Sequence, residues 1–416
     1  MTQDRTEALR EFRAELRAWL ADNRPEAPSF RLPQSFLEVE SDAQFEFLRD
    51  WQRRVYDAGY LGFDVPEKYG GQGVDNDKKR ITVQEMVRAR TPFLVNVIGL
   101  HWAGPTILMY GSEAQKQRML APLLRGDEIW CQGFSEPEHG SDLASLQTRA
   151  RPSADGERYH VSGHKVWTTL AHVAKWMILL ARTGSEGQGS PAAEKSSAAK
   201  YAGLSYFLFP MDAEGVTIQP LVKMTGEGGF NQVIFDEAPM PKDALLGKEG
   251  QGWQVAMTTL AFERGAADPA ARERGAQLVA LFERLASLAA RIERDGAAVI
   301  DDAVAREKLV ALRIEAEALR WSGVRAAVPG LCSERPMVLP LMSKLTISEF
   351  NQRVTDLAVE LLGAEAQLWL EDAHAIDAAE WPRAYLNSYG FTIGGGTSEI
   401  QRNILGERVL GLAKSK

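Results

Sequence analysis

Apolar residues in the first part of the chain recur at the spacing of an α-helix. Leu9, Phe12 and Leu16 follow one another at intervals of three and four residues, which places them on one helical face. A stretch containing three prolines ends this pattern, and a second helix is predicted over about 42–57. Further helix is predicted up to about residue 124. The first third of the chain is therefore predicted to be helical.

The pattern changes between about residue 130 and residue 246, where short apolar and β-branched runs replace the helical spacing. Examples are WMILL at 176–180 and YFLF at 206–209, and glycine, proline and aspartate separate such runs. This part of the chain predicts a compact β unit, either a barrel or a sandwich. Residues 184–200 are rich in Gly, Ser, Ala and Lys, which predicts a surface loop between two strands.

Helical spacing returns after residue 252. Leu278, Leu281 and Leu285 show the three–four repeat. Two later series show it again, namely Leu309, Leu312, Ala316 and Ile347, Phe350, Val354. Three long helices with narrow apolar seams predict an antiparallel bundle. These seams are core packing and carry no chemistry.

Charge and cysteine content limit the function classes. A chain of 416 residues is too long for a single hydrophobic core, so two or three packed units are expected. Its net charge of -8 argues against a general nucleic-acid or anionic-membrane binder. Only two cysteines are present, Cys131 and Cys332, which fits a reducing compartment and makes the cytoplasm the default location. No apolar run approaches the ~18 residues of a membrane span, and the first twenty residues lack a signal-peptide core.

Several familiar site patterns are absent. His160 and His164 have no cysteine or carboxylate to complete a ligand set, so no metal site is predicted. A Gly-x-Ser-x-Gly nucleophile elbow is missing. The glycine-rich pieces at 226–229 and 247–252 lack the strand and helix context of a dinucleotide fold, so both predict turns.

The segment CQGFSEPEHGSD at 131–142 differs from these, because it joins glycines, hydroxyls and a proline where helix gives way to strand. Phosphates and flavin edges bind close backbone N–H groups and short hydroxyls. From its residues alone, this segment fits a cofactor loop and a structural cap equally well.

Six segments resemble the acyl-CoA dehydrogenase family, in the family's order and over nearly the whole chain. The core resemblance is SEPEHGSD within 131–142, which is similar to the family signature (Ser/Thr)-Glu-Pro-x-x-Gly-Ser-Asp. The others are VPEKYGG at 65–71, GHKVWTT at 163–169, PKDALLG at 241–247, GQGW at 250–253 and GGTSEIQRN at 395–403.

The resemblance implies an α+β fold. It has an N-terminal helical domain, a middle β-barrel or sandwich domain and a C-terminal four-helix bundle, which we place at 1–129, 130–247 and 248–416. It also implies bound FAD, acyl-CoA substrates, a role in fatty acid β-oxidation, and electron transfer flavoprotein as the electron acceptor. Family members are usually tetramers that share each FAD between subunits.

The same resemblance implies roles in flavin binding for five residues. Phe134 and Ser135 would line the flavin ring, with Ser135 hydrogen-bonding its pyrimidine side. Ser141 would lie near the FAD diphosphate or the pantetheine of the substrate. Trp167 would cover the flavin edge, and Thr169 would hydrogen-bond near N5, the atom that accepts the hydride.

Further FAD contacts are implied near the end of the chain. Thr397 and Glu399 would contact the nucleotide half of FAD, although Gln is common at the second position. Arg294 would meet the FAD diphosphate of a neighbouring subunit. Here the chain departs from the family pattern, because RDGA stands at 294–297 and ELLGA at 360–364 replaces a more glycine-rich loop.

The catalytic base is displaced from its commonest family position. Many members carry a Glu where this chain has Gly395, whereas others carry it on a helix beside an arginine. The string AFERG at 261–265 is similar to that second arrangement, so Glu263 is the candidate base for the α-proton. Arg264 would contact the CoA phosphates or support the base, and the N–H of Gly395 would still bind the thioester oxygen. The competing interpretation of both charges is an ordinary surface ion pair.

Three functional hypotheses follow. The first is an acyl-CoA dehydrogenase that forms a trans-2-enoyl-CoA. The second is a flavin oxidase or monooxygenase on the same fold, which oxygen reactivity would separate from the first. The third is a partner subunit of a mixed tetramer with little activity alone. Glycines at 394–396 leave a pocket wall without side chains, which permits a branched or ring-bearing acyl group.

Overall fold

The computed structural model of the protein divides into two compact units, Met1–Glu263 and Arg264–Lys416. It describes residues 3–183, 200–264, 271–326, 328, 331 and 338–413. Cys332 and nearly all of the predicted loop at 184–200 lie outside these residues. Within the described part, no helix is long and apolar enough to cross a membrane.

Helices dominate both ends of the chain and strands its middle. The helices are α1 Gln3–Asn23, α2 Asp42–Asp57, α3 Asn76–Arg88, α4 Gly104–Tyr110, α5 Glu113–Arg125, α6 Gly252–Glu263, α7 Ala271–Arg291, α8 Ala303–Ala326, α9 Val338–Leu362, α10 Glu380–Ile393 and α11 Ser398–Ile404. The strands are β1 Trp130–Gly133, β2 Arg149–Pro152, β3 Arg158–Thr169, β4 Trp176–Arg182, β5 Leu204–Pro210, β6 Val216–Leu221, β7 Phe230–Pro241, β8 Glu293–Arg294 and β9 Ala297–Ala298. The predicted α+β fold is confirmed, whereas the three domain boundaries stay a prediction.

Local sequence signals explain the helices of the first unit. The predicted apolar face of α1 is buried, and Leu16 is fully inaccessible to solvent. Helix α5 begins with a capping box, in which the Ser112 hydroxyl accepts from the Gln115 amide and the Gln115 side chain accepts from the Ser112 amide. The same helix ends at Gly126, whose φ of 81° favours glycine.

The seven long strands form one sheet in the order β1-β4-β2-β3-β7-β6, with β5 paired to the other side of β4. Strands β1 and β4 are parallel, whereas β3 pairs antiparallel with both β2 and β7. Ile178 and Leu180 of β4 pack toward the helices, and Met177 and Leu179 pack into a second core on the opposite face. Burial on both faces explains the uninterrupted apolar run of this strand.

The second unit is built around the four helices α7, α8, α9 and α10. Their seams meet in one core, which includes Leu285, Leu309, Phe350 and Trp381. The predicted helical bundle is therefore confirmed. Between α7 and α8 the chain makes the hairpin β8–β9, whose two central residues, Asp295 and Gly296, both have positive φ.

Candidate functional site

A bulge in β3 presents an indole at the surface of the sheet. Lys165 pairs with Val233 and Thr168 with Asn231, so β3 carries one more residue than β7 between these pairs. Trp167 sits in this bulge with a φ of 60°, and 61% of its surface is exposed. A left-handed backbone costs a non-glycine residue roughly 1–2 kcal/mol, so the surrounding sheet must stabilise it.

The loop after β1 is fastened to this bulge. The Ser135 carbonyl accepts a 2.9 Å hydrogen bond from the amide of Val166, which is the residue before Trp167. Phe134 is buried beside this contact. The structure therefore places Phe134 and Ser135 next to the strand segment that carries Trp167, and the roles of these three residues at a flavin ring stay a prediction. Thr169 lies two residues beyond Trp167 on the same strand.

A buried ion pair lies beneath the loop. Lys165 is fully buried, and its Nζ donates to the Phe134 carbonyl and to Glu136 Oε1, both at 3.0 Å. Glu136 also accepts from the Gln147 amide and from the amide and hydroxyl of Thr148. Burial opposes its charge, yet Lys165 and these hydrogen bonds hold the pKa of Glu136 below its usual range. Burial lowers the pKa of Lys165 to about 8, so the pair is ionised at neutral pH.

A second buried cation holds the far end of the same loop. Arg182 at the end of β4 is 4% exposed, and its guanidinium donates to the carbonyls of Leu146 and Ala144. Ser141 lies on the exposed outer turn of the loop, before these anchored residues. The loop is thus fixed at both ends while Ser141 faces solvent.

The candidate base ends α6 next to a buried hydroxyl chain. Tyr206 is fully buried and packs edge-on against Phe134, with ring centroids 5.8 Å apart. Its hydroxyl lies 3.0 Å from Thr259 Oγ1, one helical turn before Glu263. Burial raises the pKa of the Tyr206 phenol, and the negative charge of Glu263 adds to that rise. Tyr206 therefore links the half-buried Glu263 to the predicted flavin loop within the first unit.

The hydroxyl chain continues beyond Thr259. Thr259 Oγ1 lies 3.1 Å from Thr106 Oγ1, which donates to the Trp102 carbonyl at 2.7 Å. Thr259 Oγ1 also donates to the Val255 carbonyl at 3.1 Å, one turn earlier in α6. The chain ties α6 to the preceding helices.

Thr259→Val should destabilise the first unit by about 1–3 kcal/mol, because the buried Tyr206 hydroxyl loses its partner. The matched control is Thr258→Val, which removes the same hydroxyl one residue earlier, where Tyr110 is part-buried and water can replace it. Urea unfolding followed by tryptophan fluorescence compares the two variants. Equal midpoints for both would show that the buried chain adds nothing to stability.

In the second unit, three donors hold a loop of glycines. Two side-chain nitrogens contact the Gly395 carbonyl. Arg264 Nε lies 3.4 Å from it, and Gln401 Nε2 lies 2.9 Å from it. Lys344 Nζ donates to the Gly396 carbonyl at 2.6 Å. The structure thus brings Arg264 and Gly395 together, although through the carbonyl of the glycine.

The remaining predicted FAD residues of this unit have separate positions. Thr397 caps α11, since its hydroxyl accepts from the Ile400 amide at 3.2 Å. Glu399 is exposed in the first turn of that short helix. Arg294 lies on β8, where its guanidinium donates to the Leu361 carbonyl at 3.1 Å. No hydrogen bond or ion pair in the described ranges joins Arg294 to Thr397 or Glu399.

The supporting residues Lys165, Glu136 and Arg182 were not predicted from the sequence. One signal was available for the first of them. Tyr159 and Val161 are apolar at alternate positions of β3, and continuing that alternation places Lys165 on the same buried face. The two histidines for which no metal site was predicted contact other groups. His164 hydrogen-bonds with the Gln232 side chain, and His160 lies within hydrogen-bond distance of a backbone carbonyl. In the described ranges, no three metal-ligating side chains lie together.

Comparison with known families matches three consecutive parts of the chain. Residues 6–127, 131–238 and 250–410 match the N-terminal, middle and C-terminal domains of acyl-CoA dehydrogenase. Acyl-CoA dehydrogenase IpdE1 of Mycobacterium tuberculosis is 38% identical over 407 residues, which are 98% of this chain and 98% of that protein.

Two solved structures share the fold over the full length. The Tcur3481-Tcur3483 steroid ACAD has a TM-score of 0.79 and 26% identity, covering 98% of each chain. The ChsE4-ChsE5 complex from Mycobacterium tuberculosis has a TM-score of 0.75 and 26% identity, covering 100% of this chain and 99% of the other.

Proposed function

Because the chain belongs to the acyl-CoA dehydrogenase family of flavin-dependent oxidoreductases acting on acyl-CoA, we propose that it forms a trans-2-enoyl-CoA with Glu263 as the base. The observation that carries the proposal is the position of Glu263 beside Tyr206, whose ring packs on Phe134 of the predicted flavin loop. At Gly395, the commonest family position of the base, the chain has no carboxylate.

In the proposed reaction Glu263 takes the proton from the α-carbon of the acyl thioester. The electrons of that C–H bond form the new double bond as a hydride leaves the β-carbon. A bound FAD supplies the acceptor for this hydride. Glu263 is half-buried at the end of α6, where it raises the pKa of the buried Tyr206 phenol through its negative charge. Partial removal from water makes a carboxylate a stronger base, which suits a weakly acidic C–H bond.

The residues of the first unit fit a flavin. Trp167 offers an exposed aromatic surface at a strained bulge, which a planar ring can cover. The hydroxyls of Ser135 and Thr169 make no hydrogen bond to another described residue, so both can bind polar flavin atoms. In this proposal Ser141 binds the diphosphate or the pantetheine. In the second unit, Thr397 and Glu399 keep the proposed contacts with the nucleotide half of FAD, and Arg294 keeps the proposed contact with the FAD diphosphate of a neighbouring subunit.

The thioester oxygen needs a hydrogen-bond donor, since negative charge develops there as the proton leaves. We assign this role to the backbone N–H of Gly395. A glycine keeps the backbone donor of the family position while it gives up the carboxylate side chain. Arg264, whose side chain also contacts the Gly395 carbonyl, is placed at the CoA phosphates or in support of the base.

The proposed substrates carry a branched or ring-bearing acyl group. Gly394, Gly395 and Gly396 remove three consecutive side chains from one wall of the predicted acyl pocket. One similar solved structure is described as a steroid ACAD, and a steroid ring system is large and rigid. Both observations favour a bulky acyl group over a short linear chain.

A mixed tetramer with a related chain is the proposed assembly. The outer face of α8 exposes Val310, Ile314 and Trp321, an apolar strip that another subunit can cover. One similar structure is a complex of ChsE4 with ChsE5. Electron transfer flavoprotein is the proposed acceptor, and the cytoplasm is the proposed location.

A panel of linear, branched and ring-bearing acyl-CoAs, added anaerobically, should bleach the visible flavin band fastest for a ring-bearing member. Stopped-flow absorbance measures the rate for each acyl-CoA, and admission of oxygen afterwards separates a dehydrogenase from an oxidase. A strict preference for short linear chains would contradict the proposed substrate class. A flavin band that bleaches only after a related chain is added would favour the partner-subunit alternative.

A further inference from the structure

Three of the four residues between α10 and α11 are the glycines 394–396, which have no side chain to hold the loop's conformation. Gly395 and Gly396 have φ values of 66° and 91°, in the left-handed region that favours glycine. Three consecutive glycines form the most flexible backbone that a protein can contain. A hydrogen-bond donor on such a loop is useful only if other residues restrict the backbone.

That restriction comes from side chains that reach the loop from elsewhere in the second unit. Lys344 of α9 approaches the Gly396 carbonyl to 2.6 Å. Gln401 of α11 is fully buried and donates to the Gly395 carbonyl at 2.9 Å. A Cβ atom on Gly396 would lie 2.9 Å from Gln401 Nε2, so the loop packs tightly against its donors.

Fixing two successive carbonyls fixes the backbone around them, because each peptide unit is planar. At the other end, the Gly394 amide is held by a 2.8 Å bond to the Gly390 carbonyl. The peptide that carries the Gly395 N–H is therefore confined between two anchored points. Of the donors, Lys344 brings a full positive charge at the shortest distance, and charge-assisted hydrogen bonds are the stronger kind.

We propose that Lys344 is a positioning residue for the oxyanion contact, which keeps the Gly395 N–H directed at the thioester oxygen. The inference rests on the proposed function, because it assumes that the Gly395 N–H binds that oxygen. Lys344 itself touches neither the substrate nor the reacting atoms in this proposal. Its effect reaches the thioester through the Gly396 carbonyl and the backbone of the glycine loop.

The test measures polarisation of the thioester directly. The probe is the trans-2-enoyl-CoA product of the fastest acyl-CoA in the panel, isotope-labelled at the thioester carbonyl and bound to the oxidised holoenzyme. Difference infrared spectroscopy reports how far binding lowers the C=O stretching frequency. Lys344→Met should lose most of this lowering and slow flavin reduction about 10- to 100-fold, with a smaller change in KM. Lys344→Arg should retain most of both signals.

The matched control is Lys308→Met, which removes an exposed lysine that pairs with Glu360 in the same unit. This variant should keep the wild-type frequency and rate. If the Met variant fails to fold, Lys344→Gln replaces it, because the amide keeps a neutral donor, and an intermediate frequency is then expected. A folded Met or Gln variant that lowers the C=O frequency as far as the wild type does overturns the proposal for Lys344. If the wild-type flavin is reduced by no acyl-CoA at all, the proposed function itself fails.

Discussion

Glu263→Gln is expected to retain bound flavin and to lose about 10³-fold or more of the rate at which an acyl-CoA bleaches it. A general base contributes up to about 10⁴-fold, and at Gly395 the chain has no carboxylate to replace it. Glutamine preserves the size of the side chain and its packing at the end of α6, but it cannot accept a proton at neutral pH. Anaerobic stopped-flow absorbance gives the rate.

Two further variants make this result specific. Glu263→Asp keeps a carboxylate but withdraws it by one methylene, so it should retain a measurable part of the rate. Glu214→Gln neutralises an exposed carboxylate elsewhere in the first unit and should react like wild type. Reduction of Glu263→Gln at a near-normal rate would falsify the assignment of the base.

Lys165→Met should destabilise the first unit by about 3–5 kcal/mol, because it leaves Glu136 charged and buried without its cation. For a unit of this size, the loss corresponds to a thermal midpoint lower by roughly 5–10 °C. The variant should also bind flavin more weakly, since Lys165 holds the Phe134 carbonyl in the predicted flavin loop. Scanning fluorimetry and the flavin content of purified protein measure the two effects.

A double variant separates the unpaired charge from lost packing. Lys165→Met combined with Glu136→Gln removes both charges, and it should be more stable than Lys165→Met alone. Lys175→Met is the surface control, since Lys175 pairs with Asp212 in solvent and should change stability by about 0.5 kcal/mol or less. A double variant no more stable than the single one would show that the cost of Lys165→Met is packing.

Hydrophobic periodicity was sufficient to predict the helical parts of the fold. The spacing of Leu9, Phe12 and Leu16 identified the buried face of α1, because a helix at the protein surface buries its apolar side against the core. The helix predicted over 42–57 agrees with the bounds of α2. Strand order was beyond such reasoning. The pairing of Trp130 with Trp176 in parallel strands depends on how distant segments pack, which local spacing does not encode.

The candidate site likewise contains residues that the sequence could predict and residues that it could not. Family resemblance selected Phe134, Ser135 and Trp167, and the fold places these residues side by side. The residues that hold such groups were not predicted, because their partners lie far away in sequence. Lys165 is 29 residues from Glu136, and Lys344 is 52 residues from the glycine whose carbonyl it contacts. Nor does composition indicate a left-handed φ at a tryptophan.

The proposed position of the base on α6, away from the glycine loop, has an evolutionary consequence. Where one residue serves both as base and as pocket wall, any change that enlarges the pocket also endangers the chemistry. Here the carboxylate ends the helix α6, and the loop keeps only backbone functions. Gly394 has an ordinary negative φ, and the nearest atom to an added Cβ is a carbonyl oxygen at 3.3 Å. In the proposed enzyme, mutation at that position can therefore explore new acyl groups while proton abstraction stays under separate selection.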